Sequence, residues 1–456
     1  MISLAIVALA RKPSWARTLS PPAMTRATST AASPKSNTQL RTLNAPLHAE
    51  TPCGLSASPA PRILPRNDTL LSRRVFLGGG VFLCFFPRAA DAEEVWRLTA
   101  ERESGGRYVY QGQSPGPVIR AQVGRPCRIE LANKLSAPTT LSVAGLRLPF
   151  ARAAAIAPGG RAKIEFAPTE PGFGLYLPYE PADQLPGGLF GAVVVDEAAP
   201  AAVDLDAVAA FSISGKEWRA NADLSGLEFN APPSGRVRLR LANAAPDLVL
   251  PLKMRGPEAV IVAIDGQPCP PFAPRDGEFA LCPSARFELM FDLDKPFELM
   301  LAGAGASALR IAPKGERVAA RGPIAGLPAN PRLPEEIALE KARRVKIVLS
   351  GAADNGFTLS GSGRKPLFSV ARGTPVSLTL VNETAEPQTL RFEGHSARIL
   401  HALDDGWDPY WRDALLIVPG RTLHAAFVAD NPGHWPLASA SPERRAKGLA
   451  GWFEVR

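Results

Sequence analysis

Residues 234–243 read SGRVRLRLAN. Val237, Leu239 and Leu241 fall on one side of an extended chain and Arg236, Arg238 and Arg240 on the other, the two-residue period of a half-buried strand. The pattern recurs as VGRPCRIELAN (123–133) and RGTPVSLTLVN (372–382), each with a glycine ahead of the alternation and an asparagine closing it. In the first copy Cys127, Ile129 and Leu131 share a face opposite Arg128 and Glu130, which places Cys127 in a core. A second segment follows each copy: APGGRAKIEFAPTEPG (157–172), CPSARFELMFDLDKP (282–296) and VPGRTLHAAFVADNPG (418–433). The closing asparagines are 110 and 139 residues apart, about one Greek-key sandwich plus loops. Short alternating runs broken by proline and glycine, with no long segment of helical period, predict an all-β chain of three tandem β-sandwiches. The expected divisions are 93–198, 199–312 and 343–456, joined before the last by a proline- and charge-rich linker over 313–342.

The chain has 456 residues, 46% of them hydrophobic, enough to bury several cores. Its formal charge of +9 suggests an anionic partner until the charge is located. Residues 1–92 carry 11 Lys/Arg against 3 Asp/Glu, whereas residues 93–456 carry 41 against 40. The basicity belongs to the leader, so nothing argues for nucleic-acid binding. Within that leader, Arg73 and Arg74 precede an apolar run, and Ala90-Asp91-Ala92 supplies a small-x-small cleavage pattern, the signature of a twin-arginine export signal. The apolar run is too short and too glycine-rich for a spanning helix. The expectation is a disordered leader with a signal peptide over 1–92 and a periplasmic protein with no transmembrane span in the mature chain, acting as a monomer. Residues 1–70 precede the signal motif at unusual length, and a misplaced start codon would explain them as well as a true extension. Cys53 and Cys84 lie in the leader; of the other three, Cys269 and Cys282 flank a short loop and could pair.

Longer runs carry a family resemblance. YQGQSPGPVIRAQVGRPCRIELANKLSAPTTLSVAGLRLP, AIDGQPCPPF and WRDALLIVPGRTLHAAFVADNPGHW, with the closing DNPGHWPLASASPERRAKGLAGWFEVR (430–456), resemble the multicopper oxidase family over nearly the whole mature chain. The resemblance implies three cupredoxin-like domains, with copper as the family cofactor: one mononuclear copper in the third domain and a three-copper cluster between the first and third. It also locates the ligand positions. The family's His-Trp-His-Gly is here Ser142-Val143-Ala144-Gly145, and its Tyr-His-Pro-His is Tyr176-Leu177-Pro178-Tyr179. Gln388, Arg391 and Glu393 stand where the third motif has ligand histidines. Ala438, Ser439 and Ala440 stand for His-Cys-His, Arg444 for the last histidine and Leu449 for the axial methionine.

An electron-transfer copper of this kind requires two imidazoles and a thiolate, and the Ser439 hydroxyl is a poor substitute. The cluster requires more imidazoles than the four histidines of residues 93–456, His395, His401, His424 and His434. Fixed cations at 391 and 444 oppose a bound metal. No cofactor is therefore expected, although one residual transition-metal site on the remaining histidines is left open. Arg391 and Glu393, two apart on a strand, are expected to pair and, with Tyr179, to plug the space between the first and third domains. The acidic stretch DDGWDPYWRD (404–413), with Asp404, Asp405, Asp408 and Asp413 among Trp407, Tyr410 and Trp411, invites a calcium or carbohydrate reading but is better taken as a folded surface loop. The functional expectation is a copper-free binding or scaffolding protein with an unidentified protein partner in the cell envelope, similar in its missing ligands to the cell-division protein FtsP. The alternative is a copper-dependent oxidoreductase.

Overall fold

The structure is a computed structural model that describes residues 94–148, 154–214, 217–221, 226–302, 307–400 and 406–456. The leader with its signal motif, Cys53 and Cys84, together with His401, Asp404 and Asp405, lies outside the described residues. Six sheets pair off along the chain. Strands between Glu94 and Asp196 make two four-stranded sheets, those between Leu205 and Pro313 a six- and a five-stranded sheet, and those between Arg343 and Val455 again a six and a five. The result is the expected all-β architecture of three successive cupredoxin-like sandwiches.

The repeated asparagine does the same work three times. The Asn133 side chain donates to the carbonyls of Ala137 and Ile156 and accepts from the Leu135 N–H. Asn243 does so with Leu248, Leu281 and Ala245, and Asn382 with Glu386, Ile417 and Thr384. One side-chain amide thus satisfies three main-chain groups that a strand end would leave unpaired. Each asparagine carbonyl accepts from the residue after a proline, Gly159, Ser284 or Gly420, all at positive φ (74°, 67° and 67°). Those residues open the second recurring segment. The two sequence repeats are therefore the two sides of one turn, in which a left-handed residue follows proline.

Docking of the sandwiches changes which faces are buried. Strand Gly172–Leu177 is buried at every residue: Tyr176 enters the core of the first sandwich, while Phe173, Leu175 and Leu177 pack with Ala210, Ala242 and Ala244 of the second. Strand Arg236–Asn243 departs from the half-buried expectation, because its arginine face is buried as well. Arg238 pairs with Glu197 and Glu288 at 2.8 and 2.7 Å, and Arg240 with Glu288 and Asp206 at 2.8 and 2.9 Å. Glu197 comes from the end of the first sandwich, so the arginines that sequence periodicity assigns to solvent line an inter-sandwich seam. The segment after Pro313 runs without strands to Arg343, pinned by Arg321 on Asp204 and by Asn330 on Gln267 and Glu170.

One question the sequence leaves open is answered and one expectation is corrected. Cys269 and Cys282 are not bonded; both are free and packed within the second core, and Cys127 is free and buried as expected. The acidic stretch is not a surface loop over its described part: Trp407–Arg412 is a strand paired with Ala397–Leu400, and Asp408 and Asp413 are buried. Among the described residues no helix is long and apolar enough to cross a membrane.

Candidate functional site

Strand pairing brings the singled-out positions together in two groups. In the first group, Gln388 opens strand Gln388–Phe392 and Ser439 ends the neighbouring strand Gly433–Ser439. Ser441 then caps the short helix Pro442–Ala446 by accepting the Arg444 N–H, which aims the Arg444 side chain back at Gln388. Its guanidinium donates to the Gln388 Oε1 and the Pro387 carbonyl, both at 2.8 Å, and pairs with Glu386 at 2.6 Å and Asp247 at 3.3 Å. The Gln388 amide nitrogen donates to Thr384 Oγ1, so the glutamine is held at both ends. Leu449 is fully buried beside them, its carbonyl accepting from the Ser439 N–H.

In the second group, Ser142 lies opposite Leu177 in the first sandwich, and Arg391 lies opposite Ala438 in the third. Arg391, at 5% exposure, donates to Glu393 at 2.5 Å. This is the pairing expected from the sequence. Tyr179 is engaged by a residue that the sequence reading passed over, Arg445. The Arg445 guanidinium stacks 4.3 Å from the centre of the Tyr179 ring and donates to the main-chain carbonyls of Tyr179, Ser439 and Ala440 at 2.8, 2.8 and 3.0 Å. It thereby ties the first sandwich to the third. Burial, reinforced by the Arg391 charge, pulls its pKa down to about 10, still well above neutrality, so the group remains a cation.

Beside Arg391 is a void of about 10 Å³, room for one water, lined by Ala144, Arg147, Arg286, Arg391, Glu393 and Asp413 among others. Arg147 pairs with Glu170 at 3.1 Å and with Asp430. Gly145, at φ 81°, is required here: a Cβ on it would lie 2.3 Å from the Arg286 guanidinium carbon.

The described histidines are not brought together. His395 is buried in an aromatic box of Phe392, Phe427, Trp435 and Phe453. Its Nε2 accepts the Asn431 N–H at 3.4 Å and its Nδ1 faces the Glu393 carbonyl at 3.5 Å, so neither nitrogen is directed at a ligand. Burial, with help from Arg147, drops its pKa to about 3, and the ring is neutral. His434 is exposed beside Trp452 and Glu454, and His424 touches Thr379 on the other sheet. Among the described residues, no three of histidine, cysteine, aspartate or glutamate are grouped to hold a metal ion.

A tripartite junction lies beside the void. Arg286, almost wholly buried, donates to the Phe173 carbonyl of the first sandwich at 2.8 Å and the Ser284 carbonyl of its own at 2.6 Å. Its remaining nitrogen donates to the Asp413 carboxylate of the third sandwich at 2.6 Å. Only Asp413 of this junction had been singled out, and as part of a loop. Arg286 has no distinguishing signal: Arg161 occupies the same place after the same turn in the first repeat and is exposed.

Two family models, both described as multicopper oxidase, match residues 94–200 and 331–456, together about half of the chain. A multicopper oxidase of Mycobacterium tuberculosis, MmcO, is 22% identical over 430 aligned residues, covering 75% of this chain and 81% of that protein. Among solved structures, a multi-copper oxidase from Pseudomonas thermotolerans superposes with a TM-score of 0.70 at 23% identity, covering 80% of this chain and 100% of that one. Another from Pseudomonas parafulva superposes with a TM-score of 0.69 at 20% identity, covering 79% and 100%. The structural likeness speaks for the fold, and the sequence models name the lineage. The chain belongs to the multicopper oxidase family.

Proposed function

We propose that this family member works without copper and without oxidase activity, as an exported protein that binds or scaffolds a protein partner in the cell envelope. The observation that carries the reading is the pair of guanidiniums at the ligand positions: Arg444 hydrogen-bonded to Gln388, and Arg391 ion-paired to Glu393. The donor set does not fit copper. Cu(I) and Cu(II) in an electron-transfer site want imidazole and thiolate, whereas the positions hold amide, hydroxyl, methyl, isobutyl, phenol, two permanent cations and one carboxylate, Glu393, which is taken by Arg391. A metal ion placed between Arg391 and Arg445 would meet two like charges in a water-poor space. No step of oxidation is therefore routed through this site.

Loss of the donors with retention of the three sandwiches leaves recognition as the remaining use of the fold, since recognition needs only surfaces and a stable frame. Those surfaces are polar: among the described residues Val118, at 37%, is the single exposed large hydrophobic side chain. The partner is accordingly bound through charge and hydrogen bonding rather than a large apolar patch. Export by the twin-arginine route follows from Arg73 and Arg74 and suits a chain that folds as several docked sandwiches before transport.

Family membership itself favours a second reading, a copper-dependent oxidoreductase. The two are separated by elemental analysis of the purified protein, visible absorbance after copper loading, and turnover of a phenolic dye in air. The proposal expects no stoichiometric copper, no blue band and no turnover. Tightly held copper at one or more ions per chain would sink it.

A further inference from the structure

Where the three sandwiches meet, two buried carboxylates lie beside one arginine: Asp413 takes its guanidinium and Asp265 its main-chain N–H. Asp265 and Arg286 come from the second sandwich and Asp413 from the third, and all are at most 9% exposed. The Asp265 carboxylate accepts three main-chain N–H groups: Arg286 at 3.0 Å, Asp413 at 3.2 Å and Ala414 at 3.1 Å. Both of its oxygens are thereby occupied by fixed main-chain donors. Among the described residues the Asp413 carboxylate has one strong partner, the Arg286 side chain, whose other nitrogens are committed to the Phe173 and Ser284 carbonyls. With both acids ionised, the trio carries one surplus negative charge in a region closed to bulk water. Taking up one proton makes it neutral, and the bonding pattern assigns that proton to Asp413.

The groups around Asp413 do not remove the surplus. From strand Gln388–Phe392, Arg391 faces it across the void, but its charge is already matched by Glu393. From the first sandwich, Arg147 is matched by Glu170 and Asp430. His395 is neutral, and the Cys282 thiol, buried on the near side, is pushed up to about 12. Arg391 keeps one nitrogen, Nη1, buried with no partner among the described residues, and it lines, with Asp413, a void with room for one water.

We propose that Asp265, Arg286 and Asp413 form a proton-binding clasp that couples the docking of the three sandwiches to ambient acidity. Burial, with the neighbouring Asp265 charge, outweighs Arg286 and pushes the Asp413 carboxyl up to about 7. The sign follows from linkage. Between the ordinary aspartate value near ~4 and the raised folded value, the native protein holds a proton that the unfolded chain has released. Stability from this group is therefore greatest at the acid end and is lost as pH rises toward and through neutrality.

The test is urea denaturation of the wild-type protein and Asp413→Asn at a series of pH values from acid to mildly alkaline. Below neutrality the wild-type unfolding constant is expected to climb with pH by up to about tenfold per unit more than that of the variant. Parallel profiles overturn the proposal. Infrared difference spectra of wild type labelled with 13C-aspartate keep it testable should the variant not fold. A buried protonated carboxyl band that disappears near neutral pH is expected, moving to lower pH in Asp265→Asn; absence of the band in mild acid would refute the clasp.

Discussion

Replacing Arg445 by methionine removes the cation that joins the first sandwich to the third while keeping most of the side-chain volume. Three carbonyls, of Tyr179, Ser439 and Ala440, then lose their charged donor. At about 2 kcal/mol for each buried acceptor left unpaired, the gross loss is about 6 kcal/mol. Against it stands relief from burying a guanidinium that has no carboxylate on its nitrogens. The fall of its pKa from 12.5 to about 10 corresponds to a burial cost of roughly 3 kcal/mol for the charged form. The carbonyl loss is larger, so Arg445→Met is expected to destabilise the protein by about 3 kcal/mol. Urea denaturation followed by tryptophan fluorescence measures it, with and without copper or chelator in the buffer. Arg445→Lys retains charge but loses the fork that reaches two strands and a ring, and it should recover only part of the loss. A methionine variant within about 0.5 kcal/mol of wild type, the level of an ordinary surface change, would refute the strut. So would a wild-type midpoint that rises on copper loading and falls on chelation.

Other outcomes follow from the same interior. Glu288→Gln leaves Arg238 and Arg240 buried with one carboxylate fewer between them, and a loss of about 3 kcal/mol is expected by denaturation, as for other broken buried pairs. Burial pushes the thiols of Cys269 and Cys282 up to about 12 and that of Cys127 up to about 11, so these three should resist a thiol reagent in the native protein and react in denaturant. A slow equivalent of native labelling at Cys269 would show the second core opening. Asn382→Ala strands the Glu386 and Ile417 carbonyls at a strand end, and a loss of about 2 kcal/mol is expected at the third sandwich, read from its hydrogen exchange.

Much of the frame was legible in the chain because it is built from local chemistry. A strand that alternates, an asparagine that closes it and a proline followed by a left-handed residue each act within one sandwich. Repeating them three times announces three sandwiches. The pairing of Arg391 with Glu393 was legible for the same reason, since residues two apart on a strand share a face. The engagement of Tyr179 was not, because Arg445 reaches it from a helix 266 residues away.

What the sequence determined by itself is the succession of half-faced strands, the turns between them and the chemical identity of the side chains at the ligand positions. Those depend on period, backbone preference and atom type, which every copy of a repeat carries with it. Tertiary structure decided which polar faces lose their water. Arg161 and Arg286 occupy the same place in two copies of one turn, yet one is exposed and the other joins three sandwiches. Burial of a charge is a property of what docks against it, and docking partners separated by more than a hundred residues leave no mark on the local pattern.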